Sequence, residues 1–197
     1  MIYFIVEGHG EIEAVPVLAR RIFFEKLHIF DQEIAKPHRI PSSRICQFGN
    51  DLYNAILLGR GKVVESGNTG GVIILVDSDD DCPVQMQNRF NEFCVERNIN
   101  FPCAFVAANR EFEVWFLCDA SSLSGHPRVR EDAQDVVDAE FIRGAKGHFE
   151  RHILLPDATY SETIDQAKFC AAIDLDEVES KSRSFRKLVS TLRFLTD

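Results

Sequence analysis

Several features are scarce or missing in this chain, and each shortage narrows what it can be. No stretch approaches the roughly 18 consecutive apolar residues that a bilayer-spanning helix needs. The N-terminus, Met1-Ile2-Tyr3-Phe4-Ile5-Val6-Glu7-Gly8, has no basic n-region and reaches glycine too early for a signal peptide. A cytoplasmic location is therefore expected. The six cysteines (Cys46, Cys82, Cys94, Cys103, Cys118 and Cys170) include no C-x-x-C pair, which argues against a zinc ribbon or a disulfide framework. Reduced thiols in a core are the expectation. One tryptophan and three tyrosines stand against 16 phenylalanines, so the aromatics read as core fillers rather than a binding surface. There is no internal repeat and no long low-complexity tract. Positive charge is also in deficit, with 22 Lys and Arg against 31 Asp and Glu and a net charge of −9. That balance is unhelpful to a protein gripping nucleic acid unaided, because phosphate contacts supply most non-specific affinity. Bound cations would offset part of it. The basic residues also gather locally, at Arg20-Arg21 and in 36–44, 143–152 and 181–187, although each run taken singly reads as a solvated face.

Residues 71–81 carry the strongest positive signal. Five consecutive apolar residues, 72–76, run directly into Asp77, Asp79, Asp80 and Asp81. An apolar, β-branched run reads as a strand buried on both faces, as in parallel α/β sheets. Such sheets bind ligands beyond the carboxyl ends of their strands. Clustered negative charge there calls for a compensating cation, for which a hard divalent metal is suited. A solvated acidic loop capping the next helix is the other reading of the segment by itself.

The surrounding pattern supplies the sheet. Residues 2–6 read as a first strand that ends in a glycine-containing loop, Glu7-Gly8-His9-Gly10-Glu11. From 11 to about 30, Ile12, Val15, Leu18, Ala19, Ile22, Phe23 and Leu27 recur at helical spacing, with Pro16 tolerated near the first turn. Residues 31–50 read as irregular, around Pro37 and Pro41. Further helices are expected at about 50–66 and 85–98, a strand at 101–107, and a helix starting at the sheet edge within 109–117. Residues 120–158 read as a loop-rich insert or small cap, and 159–195 as two helices joined around 173–182. This order predicts an α/β fold with a Rossmann-like, mostly parallel sheet flanked by helices. Residues 1–120 would form that domain, with 121–197 packed on it, and 45% hydrophobic residues can fill its core.

Three acidic groups follow buried strands: Glu7 and Glu11, then Asp77, Asp79 and Asp81, then Glu111 and Glu113. In a parallel sheet all three loops leave one edge, so these carboxylates can converge. Asp77 and Asp79 would point the same way if the strand continued that far. Together they could hold one Mg²⁺ or Mn²⁺, with a second ion on the Glu111 and Glu113 side for phosphodiester cleavage. Local alternatives remain at several positions. Glu7 could cap the first helix, Glu11 and Glu13 suit a helix's first turn, and Asp80 reads as a cap. His9 reads as a solvated loop residue, and Trp115 as core.

Glu7 in a glycine-containing loop after the first strand, with Asp77-Ser78-Asp79 after a later one, resembles the Toprim domain of topoisomerases, bacterial primases and OLD-type nucleases. The fuller pattern includes 110–117, 160–168 and Ser182-Arg183-Ser184-Phe185. It is similar to a compact prokaryotic Toprim-like family of unknown function, often encoded beside AAA- or ABC-type ATPases. The resemblance implies a Mg²⁺-dependent nuclease or phosphodiester-transfer enzyme acting on nucleic acid, with phage defence beside such an ATPase as its setting. The alternative it allows is a non-catalytic partner or regulatory subunit of that ATPase. Glu7, Glu11, Asp77 and Asp79 would be catalytic. Glu7, Asp77, Asp79, Asp81, Glu111 and Glu113 would hold metal, and Arg110 and Lys168 would contact substrate. A receiver-like phospho-acceptor domain would need an acidic pair after the first strand and a lysine after the last, and neither is suitably arranged.

Overall fold

A computed structural model of the chain describes residues 1–67 and 69–196. Its centre is a four-stranded, all-parallel sheet in the order β2-β1-β3-β4. The strands are β1 (Ile2–Val6), β2 (His38–Arg39), β3 (Gly71–Asp77) and β4 (Cys103–Ala108). All five residues of β1, and every residue of β3 up to Val76, are buried, which is what their unbroken apolar runs demand. The α/β class and parallel sheet expected from the sequence are thus present. β2 was not expected: it has two residues, lies between Pro37 and Pro41, and continues β1 pairing through Ile40 N–H to Val6 O (2.9 Å).

Helices cover both faces. Tyr3, Ile5, Val72, Ile74 and Val76 face a cluster with α3 (Asn50–Glu65) and α4 (Pro83–Glu96). Ile2, Phe4, Val6, Ile73 and Leu75 face the larger cluster, because side chains alternate along a strand. That cluster takes α1 (Glu11–Arg21), which passes into a π-helical turn at Ile22–Leu27, and short α5 (Val114–Cys118). It also takes α6 (Ala145–His152), α7 (Glu162–Ala172), α8 (Leu175–Lys181) and α9 (Arg183–Phe194). Short α2 (Ser42–Ile45) follows β2. The C-terminal section therefore holds three helices after residue 159, not two, and the break between the last pair is the Ser182 cap. Residues on both sides of position 120 share one apolar cluster, tied by aromatic contacts such as Phe116–Phe169 (5.6 Å) and Trp115–Phe185 (5.4 Å). Among the described residues no helix is long and apolar enough to cross a membrane.

β2 and β3 flank β1 on opposite sides, so the chain reverses its winding direction at β1. The loops after β1 and β3 diverge there and open a crevice at the carboxyl ends of the strands. Phe116 is fully buried between the sheet-edge helix and the C-terminal helices. Phe116→Ala should lower the unfolding free energy by about 3–5 kcal/mol in urea titration. A loss below about 1 kcal/mol would show that the C-terminal helices do not share this core.

Candidate functional site

Glu7 leaves the end of β1 and its Oε1 accepts a hydrogen bond from the backbone N–H of Asp77, 2.7 Å away, across the crevice. Glu11 is the first residue of α1, yet it is only 4% exposed. Its carboxylate folds back over the helix start, where Oε2 accepts from the N–H groups of Glu7 (3.1 Å) and Gly8 (3.3 Å). It is therefore no solvated first-turn acid. Asp77 is the last residue of β3, on the same sheet face as Val6 and Leu75. Glu7, Glu11 and Asp77 bring one carboxylate oxygen each within 4.8 Å of one another.

The trio lines a cavity of about 270 Å³ with Glu113, Arg39, Ser42, Glu162 and Gln166. Glu113, at the start of α5, is buried and accepts from Gln166 Nε2 at 3.1 Å. α7 supplies Glu162 and Gln166 four residues apart, one helical turn, so both face the cavity. The start of α7 is anchored by Asp165, fully buried, which receives Arg128 Nη1 on both oxygens at 2.8 and 2.9 Å. Gly10 permits the close approach of α1 and α7: a Cβ there would lie 2.2 Å from Gln166 Oε1 and 2.6 Å from the Glu162 carbonyl oxygen.

Burial and mutual repulsion dominate the electrostatics. Burial, followed by the charge of Glu7, pushes Glu11 from the ordinary 4.5 up to about 8. Burial and then the neighbouring charges of Glu11 and Glu7 raise Asp77 well above the carboxylate range. Glu7 and Glu113 are raised as well, chiefly by burial. Gln166 Oε1 is buried with no hydrogen-bond partner, although its residue is only 3% exposed. These donors are all oxygens, the set that Mg²⁺ and Mn²⁺ favour, and a cation would relieve both the repulsion and the orphaned amide oxygen. Glu7, Glu11 and Asp77 could hold it, with Gln166 Oε1 beside them.

Other expected residues lie elsewhere. β3 stops at Asp77, and Asp79 sits in a turn with φ of 48°, so strand alternation does not carry it to the trio. It lines a separate cleft of about 120 Å³ with Asp80, Arg110, Glu111, Arg143 and Gly144. Glu111 Oε2 caps the start of α6 by accepting from Lys146 N–H at 2.9 Å, so it does not join Glu113 as a second ligand pair. Arg110 has φ of 68° and gives its guanidinium to the Asp79 carbonyl (2.9 Å) and to Asp80 (2.6 Å). It is committed to the acidic turn and does not line the trio's cavity. Asp80 holds Arg110 and Arg143 rather than capping a helix. Asp81 is exposed, closing a turn to Ser78. Lys168 is on the exposed side of α7, and His9 is exposed in its loop. Trp115 is core, its Nε1 donating to Ser184 Oγ at 3.0 Å. Sequence reasoning passed over Arg39, Ser42, Glu162 and Gln166. The available signals were the four-residue spacing of Glu162 and Gln166, inside the 160–168 segment, and the basic run 36–44 that holds Arg39.

Fold and site together define an α/β protein with a carboxylate-lined cavity at the switch point of a parallel sheet. The chain belongs to the family of the domain of unknown function DUF4276, which matches residues 6–193. No curated protein and no solved structure matches it.

The carboxyl group of Glu11 holds its proton more tightly folded than unfolded. Its contribution to stability is therefore full below about pH 4.5 and is lost as pH rises toward 8. Asp77 acts in the same direction. Without divalent cations, thermal unfolding should occur at lower temperature at pH 8.5 than at pH 5.5, and Glu11→Gln should flatten that slope. Added Mn²⁺ should restore more stability at the higher pH. An unfolding temperature that rises with pH in the metal-free wild type would contradict this electrostatic picture.

Proposed function

We propose that this chain is a Mg²⁺-dependent nuclease, or a related phosphodiester-transfer enzyme, of Toprim type. The observation that carries the reading is the convergence of Glu7, Glu11 and Asp77 oxygens within 4.8 Å at the ligand-binding edge of the sheet. Two of these three, Glu7 and Asp77, are residues of the Toprim-like motif, and the unpartnered Gln166 Oε1 adds a neutral oxygen to the same cavity. A divalent cation bound by this set supplies Lewis-acid polarisation of a phosphoryl oxygen and a water of lowered pKa. The remaining work falls to the chain. The Glu7 carboxylate is pinned by the Asp77 backbone N–H and that of Glu11 by the Glu7 and Gly8 N–H groups, which fixes two of the donors before any ligand arrives. In the metal-free chain the Glu11 carboxyl is brought to about 8, so uptake of a cation by this set would release a proton near neutral pH. The deep, partly desolvated position keeps bulk water from screening these charges.

A second reading has its own support in the net charge of −9. Under it the chain is a non-catalytic partner or regulatory subunit of an AAA- or ABC-type ATPase, and any nucleic-acid contact belongs to the complex. Phage defence with such an ATPase is compatible with either reading.

The purified chain should cleave labelled DNA or RNA in Mg²⁺ or Mn²⁺. Asp77→Asn and Glu7→Gln should each reduce the rate about a hundredfold or more, since metal-held charge stabilisation amounts to several kcal/mol. Cleavage by both variants at the wild-type rate would sink the nuclease reading. Cleavage that appears only in complex with the ATPase would support a combination of the two readings.

A further inference from the structure

We propose that Arg39 is a phosphate-binding residue of the carboxylate cavity, holding an oxygen of a phosphate group that shares the cavity with the cation. The cation belongs to the reading given above; the observations that carry Arg39 are separate from it. Arg39 ends β2 in register with Val6, which is in turn in register with Leu75. Side-chain alternation therefore puts Arg39 on the same sheet face as Leu75 and Asp77, the face covered by α1 and α7. β2 and β3 lie on either side of β1, so two strand spacings, about 9–10 Å, separate their backbones. That gap leaves room between Arg39 and Asp77 for more than a direct ion pair.

Among the described cavity-lining residues Arg39 is the single cation, against five carboxylates: Glu7, Glu11, Asp77, Glu113 and Glu162. Despite this it forms no ion pair with any described carboxylate, unlike Arg110, Arg128 and Lys146, whose partners are close by. Its Nε is buried and has no hydrogen-bond partner. A buried guanidinium N–H without an acceptor is costly, so such atoms mark places where a partner belongs. On the other wall Gln166 Oε1 is an orphaned acceptor on a residue 3% exposed. Two orphans of opposite polarity in one cavity of about 270 Å³ ask for an anion at one end and a cation at the other. The guanidinium fork matches the oxygen spacing of phosphate, and a phosphate oxygen can bridge to a divalent ion. The net charge of −9 gives phosphate no general reason to approach this protein, so Arg39, which also borders a neighbouring cleft with Arg44 and Asp51, is the positive charge this cavity offers it.

Calorimetry on the full chain tests this without an activity readout. Mn²⁺ is titrated first, then inorganic phosphate with and without Mn²⁺, in wild type, Arg39→Gln and Arg39→Lys. We expect wild type to bind phosphate and Arg39→Gln to bind it about tenfold or more weakly, with Mn²⁺ affinity equal or higher. Arg39→Lys should fall between, because it keeps the charge and loses the fork, and it serves as the readout should Arg39→Gln not fold. Competition by a short oligothymidylate assigns the bound phosphate to nucleic acid, and its absence assigns it to a free phosphate or monoester. Phosphate binding that is undetectable in wild type in both metal conditions, or equal in wild type and variants, overturns the proposal. Failure of wild type to take up Mn²⁺ removes the nuclease reading instead and leaves Arg39 to be judged by the metal-free phosphate titration.

Discussion

Mutual repulsion among carboxylates gathered at one edge of the sheet is the constraint on which the rest of the site depends. Glu7 and Glu11 could relieve it by turning to solvent, and the chain prevents this with its own backbone. The Asp77 amide holds Glu7, and the Glu7 and Gly8 amides hold Glu11. Each bond favours the ionised form, yet burial outweighs them and the acids retain raised proton affinities. The arrangement is preorganised and strained by charge at once. That is the condition under which a cation or a proton binds well.

The C-terminal section takes part in holding this edge together. α7 reaches the cavity because Arg128 and Asp165 lock its first turn, and because Gly10 leaves no Cβ between it and α1. Gln166 then braces Glu113 while leaving its amide oxygen free in the cavity. The segment between residues 120 and 160 thus works as scaffolding: Arg128 lies within it, and Glu140 from the same stretch accepts from Ser182 and Ser184 at the start of α9.

Much of this was readable in the sequence where the physics is local. The apolar run ending in Asp77 and the strand ending before Glu7 both state their burial and edge position directly. Asp79 departs from the expected alternation because period-two reasoning holds only while the strand lasts, and the chain turns to positive φ one residue beyond Ser78. Glu111 and Arg110 were reasonable by position, but each is drawn to a nearer partner, the α6 start and Asp80 respectively. Glu11 looked like an ordinary first-turn acid, since nothing local announces that a helix start will be roofed by a helix from the other end of the chain. Arg39 was hidden for the opposite reason. Its strand has two residues between prolines, too little pattern to reveal which face it shares.

The roofing of α1 by α7 also joins distant parts of the chain. Residues that close the cavity, Glu162 and Gln166, lie far along the sequence from the acids they cover. Without α7 the carboxylates at the ends of β1 and β3 would lack the wall that Glu162 and Gln166 supply, and with it part of the burial that raises their proton affinity. The cavity is complete only where α7 packs on α1. The site therefore depends on two segments more than 80 residues apart in sequence, and neither makes the cavity alone.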